Sequence, residues 1–200
     1  MVRFTPGKAL LWAALAIPAL LILYRYRTQP ELWPGDFLHP TGEWSARFLV
    51  LALMLTPLSM LLPRQAWVKW LLRNRRAFGV AAFGYAALHL LFYVLDMETL
   101  ESMLAEIGAL GIWTGWAALL LMLPLFLTSS DAAMQALKGA WKRLQRLAYP
   151  AALFTLVHWM FVHDGLAAAL LTFAPLAALQ LFRLIRPSIK GDTKWPTSPA

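Results

Sequence analysis

The chain has 200 residues, 60% apolar and only 14% charged, with a mean hydropathy of +0.59. A soluble domain usually carries about 25% charge, so this composition suits lipid. Cysteine is absent, which excludes disulfides, zinc–thiolate sites, iron–sulfur clusters and covalent cofactor attachment through Cys-x-x-Cys-His. The net charge of +8 comes from Lys and Arg lying between apolar runs, a pattern set by membrane orientation rather than by nucleic acid.

Six apolar segments follow one another, at about 9–24, 46–62, 77–95, 107–128, 147–162 and 165–182. The first is preceded by Arg3 and Lys8 and ends at Arg25-Tyr26-Arg27 instead of a small-residue cleavage site, so it reads as an anchor and not a signal peptide. A span needs about 20 apolar residues, with about 17 the lower end, so the shorter segments draw on interfacial flanks. His163-Asp164 and Gly165 separate the last two as a hairpin. Pro18, Pro57, Pro124, Pro150 and Pro175 lie in or near spans, where membrane helices tolerate them.

Basic residues number two, five, four and four in alternate connecting segments, against three, none and none in the others. The positive-inside rule then puts both termini in the cytoplasm. Loop 96–106 holds Asp96, Glu98, Glu101 and Glu106 and no base, as an outer loop should. The expected fold is an all-α bundle of six transmembrane helices over residues 1–186, with a polar cytoplasmic tail at 187–200. No Gly-x-Gly-x-x-Gly unit, P-loop or nucleotide-binding domain is present. An autonomous NAD(P)H enzyme is therefore not expected.

Of four histidines, His89 falls inside the third segment and His158 inside the fifth. Ionisable residues within spans are expensive and point to function. Both segments run outward; His89 precedes Leu95 by six residues and His158 precedes Val162 by four. At about 1.5 Å per residue the two lie within one turn of the same level, in the outer half of the membrane. Paired imidazoles at one depth fit axial ligation of a haem iron. They also fit a proton relay, and spacing alone does not separate the two. A relay calls for paired carboxylates, and no Asp or Glu lies inside any of the six segments.

The stretches His39-Pro-Thr-Gly-Glu-Trp44, Thr56-Pro-Leu58, Arg75-Arg-Ala-Phe-Gly79, Phe83-Gly-Tyr-Ala-Ala-Leu-His89, Leu127-Thr-Ser-Ser130 and Trp141-Lys-Arg-Leu-Gln-Arg-Leu-Ala-Tyr149, ending at His158, occur in order. As a set they resemble the MsrQ (YedZ) family of the ferric-reductase-like transmembrane group. The resemblance implies a bacterial inner-membrane subunit carrying haem b with His89 and His158 as iron ligands. It implies electrons taken from the quinone pool or a flavin donor and delivered to a periplasmic molybdenum reductase, MsrP, that repairs methionine sulfoxide in proteins, with FMN as an additional cofactor. It makes the chain a redox subunit rather than an autonomous catalyst.

Such proteins often carry another His thirteen residues before the one matching His158; here that position is Gln145. An amide is a poor iron ligand, so one outer haem is expected. Arg47, beside Trp44, has two readings, a partner for a haem propionate or a snorkelling interfacial arginine. His39 and His163 lie in outer loops, as propionate caps, alternative ligands or solvated side chains. Arg75, Arg76 and Arg143 on the cytoplasmic side face lipid headgroups or a flavin phosphate. The other readings are a stand-alone reductase of metal ions or quinone, and a haem-free transporter or assembly protein.

Overall fold

A computed structural model describes residues 6–162 and 165–185; His163 and the tail 187–200 lie outside these. Among the described residues the chain is all-helical. Its helices are α1 (Pro6–Thr28), α2 (Leu38–Leu61), α3 (Ala66–Arg73), α4 (Arg75–Met97), α5 (Leu100–Glu106), α6 (Leu110–Leu127), α7 (Asp131–Leu144), α8 (Ala148–Val162) and α9 (Leu166–Ile185). Short 3-10 turns, Pro34–Phe37 and Gln145–Leu147, lead into α2 and α8.

Five helical segments are long and apolar enough to cross a membrane: α1, Pro34–Leu61, α4, α6 and α9. Their side chains are sorted for lipid, with Leu10, Leu20, Leu120 and Leu171 exposed on outer faces. The core lies where α2 packs along α4, and α6 along α8. Small residues allow close approach: Ala82 and Ala151 are fully buried on α4 and α8. Tyr26, Phe37 and Phe92 close one end of the α1–α4 side, with ring centroids 5.1–5.5 Å apart.

Three connections expected as loops contain helices. The segment 129–146 forms α7 because Ser130 caps it, its hydroxyl accepting from the Ala133 N–H. Asp131 opens the helix and Lys142 and Arg143 close it, matching the helix dipole. Lys138 (φ 47°, ψ −120°) breaks it in two. Arg76 on α4 donates to Asp131 at 2.6 Å. That hydrogen bond and the guanidinium charge hold the Asp131 carboxyl below its ordinary range. The tie is complete above the ordinary carboxylate pKa and is lost as pH falls through the lowered one.

α2 also differs from expectation: it begins at Leu38, eight residues before the apolar run. Pro40 is tolerated in the first turn, where its missing N–H would have no helical partner. The extra turns carry Thr41 and Gly42 into the bundle.

The contact between α1 and α4 depends on Tyr85. Pro18 has no N–H to give to the preceding turn of α1. Beside it the Tyr85 hydroxyl accepts from the Ala19 N–H (2.7 Å) and donates to the Leu15 carbonyl (2.8 Å), inserted between these two backbone groups. Tyr85→Phe leaves both backbone groups without this partner in an apolar setting. The expected cost is about 1–3 kcal/mol, seen as a lower midpoint in detergent thermal unfolding. An unchanged midpoint would show that the hydroxyl does not hold α1.

Candidate functional site

His89 on α4 and His158 on α8 meet across the bundle with ring centroids 5.9 Å apart and ring planes at 88°. The two residues sequence depth puts at one level are therefore side by side in space. His89 Nδ1 lies 2.9 Å from the Leu38 carbonyl oxygen, and His158 Nδ1 lies 2.7 Å from that of Gly111. A carbonyl only accepts, so each Nδ1 carries the proton and donates it. Each Nε2 is then the nitrogen with the lone pair, the tautomer a metal ligand needs.

The same device orients both rings. Leu38 and Gly111 stand in the first turns of α2 and α6. Three residues on, Thr41 and Thr114 donate back to the Leu38 and Gly111 carbonyls (3.0 and 2.9 Å) and to those of Phe37 and Leu110 (2.6 Å each). Both threonines are almost wholly buried. Next come Gly42 and Gly115, each beneath an imidazole. A Cβ at Gly42 would sit 3.1 Å from His89 Nδ1, and one at Gly115 would sit 2.6 Å from His158 Nδ1. The match continues: Ser45 on α2 corresponds to Ala118 on α6, and Ala82 and Ala151 each precede their histidine by seven residues. The α2–α4 and α6–α8 pairs thus present their histidines in equivalent ways.

These helices line a cavity of about 200 Å³, partly open, with both histidines on its wall. Its walls are mainly apolar, including Leu90, Ile112, Leu119 and Met122; Tyr93, Trp116 and Glu106 stand at one end. A second, smaller space on the other side of the same imidazoles is lined by His39, Glu43 and Trp159. His39 is exposed, with its ring edge-on to Trp159.

The remaining sequence candidates sit apart from the paired rings. Arg47 is bonded to Glu43 at 2.5 Å and lies over the Trp44 ring, 5.3 Å from its centroid; it lines neither space. Arg75 and Arg76 occupy the opposite end of α4, bonded to Thr56 (3.2 Å) and Asp131. Arg143 is exposed on α7. Gln145 donates to the Thr128 hydroxyl at 3.4 Å, and Trp141 Nε1 donates to the Thr128 carbonyl. Sequence reasoning missed Thr41, Gly42, Thr114 and Gly115. The available signal was the repeated Thr-Gly dipeptide.

Among the described residues no group of three or more His, Cys, Asp or Glu side chains is placed to hold a metal ion. Two opposed imidazoles suit instead an iron whose other ligands come from its own macrocycle. The dimensions agree: two metal–imidazole bonds of about 2 Å each, with half a ring on either side, separate ring centroids by roughly 6 Å.

Residues 41–156 match the family described as ferric reductase like transmembrane component. The protein-methionine-sulfoxide reductase heme-binding subunit MsrQ of Xanthomonas euvesicatoria pv. vesicatoria is 32% identical over 96% of this chain and 95% of its own length. The MsrQ protein of Brucella ovis is 36% identical over 92% of this chain and 86% of its own. That of Azospira oryzae is 38% identical over 78% and 67%. No solved structure matches significantly. With more than half its length inside one family's boundaries and full-length relatives above 30% identity, the chain belongs to the ferric-reductase-like transmembrane family, and within it to the MsrQ family.

Proposed function

We propose that this protein is the membrane electron-transfer subunit of a protein-methionine-sulfoxide reductase system, with one b-type haem held between His89 and His158. The observation that carries the reading is the facing pair of imidazoles, each with Nδ1–H donated to a first-turn carbonyl and each seated over a glycine. When bound, the haem supplies a one-electron carrier. The chain fixes both ring orientations and keeps both imidazoles in the Nε2-ligating tautomer. It surrounds the site with an apolar wall that limits water.

In this reading the bundle crosses the bacterial inner membrane six times, both termini cytoplasmic. The sixth crossing is α8 with its leading 3-10 turn, 15 and 3 residues. Their combined rise is about 28 Å, close to a hydrocarbon core of about 30 Å. The charge distribution between connecting segments supports this orientation. The paired histidines then lie towards the periplasm, where an MsrP-like reductase is the acceptor. The donor is the quinone pool or a flavin at the inner end, FMN being the form suited to the cationic Arg75, Arg76 and Arg143. Gln145, an amide bonded to Thr128, favours a single haem.

Absorption spectra of detergent-purified protein, oxidised and dithionite-reduced, test the reading. The expected result is a reduced b-type spectrum at about one haem per chain. Folded protein expressed with ample haem and showing no such spectrum would leave the proton-relay reading in its place.

A further inference from the structure

Tyr93 has no role in the ligand device, yet its position is not that of an ordinary core tyrosine. The side chain is 9% exposed and its hydroxyl is buried without a hydrogen-bond partner. Leaving such a donor unsatisfied costs about 1–3 kcal/mol, and native structures seldom do so without a reason. Tyr93 stands four residues after His89, on the same face of α4 and about 6 Å farther along the axis. It lines the larger space between the imidazoles and the outer end of the bundle. Its ring meets Trp116 edge-on at 6.4 Å, and Trp116 follows Gly115, the residue beneath His158. Donor, aromatic wall and both ligands thus share one cavity.

We propose that Tyr93 is a positioning residue whose hydroxyl donates to a haem propionate, turning that carboxylate edge towards the mouth between α4 and α6. This rests on the haem reading given above. Propionate oxygens are the acceptors at the rim of an otherwise apolar macrocycle, and a phenol O–H makes a strong bond to an ionised carboxylate. Glu106 also lines this mouth, but it is exposed, where solvent and salt screen its charge. On the other side of the imidazoles the lining holds Glu43, an anion already bonded to Arg47, and His39, which is exposed with its ring edge-on to Trp159. A carboxylate edge turned that way would meet a carboxylate with its cationic partner committed.

The hydroxyl offsets propionate charge and so favours ferrous iron. Tyr93→Phe keeps the ring against Trp116 and removes only the donor. The variant is expected to load haem as wild type does. Its ferrous/ferric equilibrium should move towards ferric by about threefold to tenfold, tenfold being 59 mV for one electron. The propionate bending band in resonance Raman spectra should shift with it, while Arg47→Gln leaves both readouts in place. Wild-type protein carries a separate test, because its propionate band should already lie at the hydrogen-bonded position. A free-carboxylate band in wild type overturns the proposal, even where the variant fails to fold. So does a haem-loaded Tyr93→Phe protein with an unmoved equilibrium, or a shift found in Arg47→Gln instead. Wild type without haem overturns the underlying reading, which is a different result from any of these.

Discussion

Changing either His89 or His158 to alanine is expected to abolish stable haem binding, and changing Gln145 to alanine is expected to leave it intact. Each imidazole is pre-oriented by a carbonyl bond, 2.9 Å for His89 and 2.7 Å for His158. On the proposed ligation, removing one would therefore delete an iron ligand and leave its place lined mainly by apolar side chains. Losing only an orienting partner typically costs about 10–100-fold in metal affinity; losing the ligand itself should exceed that. The readout is the ratio of haem absorbance to protein after purification in detergent, near zero for both His variants. Gln145 is bonded to Thr128 at the far end of α8 and should keep the wild-type ratio. Haem lost from Gln145→Ala but kept in His158→Ala would move the site to the other end of the bundle.

The second large effect concerns glycine. An alanine methyl at Gly115 would lie 2.6 Å from Nδ1 and 2.8 Å from Cε1 of His158, a rigid ring already held by Gly111. The ring can retreat only by loosening that bond. At Gly42 the closest approach to His89 is 3.1 Å, which a small shift relieves. Overpacking of this kind costs about 1–3 kcal/mol, so Gly115→Ala should lower both haem content and thermal stability, and Gly42→Ala should do so more mildly. Gly79 and Gly84, on α4 with nothing within 4 Å of an added methyl, serve as controls. Alanine there should be neutral or slightly stabilising, by up to about 1 kcal/mol from helix propensity. Normal haem loading in Gly115→Ala would show that the glycine is not needed to seat His158.

That His89 and His158 would meet was readable in the sequence because depth in a membrane helix is simple arithmetic, a fixed rise per residue from a recognisable end. What the arithmetic could not supply was the orienting machinery. Leu38 to Ser45 contains His, Pro, Thr, Gly and Glu, so hydropathy assigns it to a loop. In the fold the Thr41 hydroxyl is satisfied by the carbonyls of its own helix, and the segment continues α2 into the bundle. Thr114 and Gly115 were hidden for the opposite reason, as two small residues inside an apolar run. Only placing them opposite His158, as Thr41 and Gly42 are placed opposite His89, gives either dipeptide a meaning. Helix α7 was missed because its charges were read for topology and not for periodicity. Tyr93 was missed because an aromatic near a span's end looks like an interfacial anchor, and nothing in the sequence shows a hydroxyl left without a partner.

Low-temperature electron paramagnetic resonance of the oxidised, purified protein tests the central claim most directly, because it reports both axial ligands and their mutual orientation. Two imidazoles crossing at 88°, if they ligate the iron as proposed, would leave its two π-type d orbitals nearly degenerate. The expected result is a low-spin ferric signal of the strongly anisotropic type, absent from His89→Ala and His158→Ala. A high-spin ferric signal in folded wild-type protein, or no ferric haem signal at all, would contradict ligation by this pair.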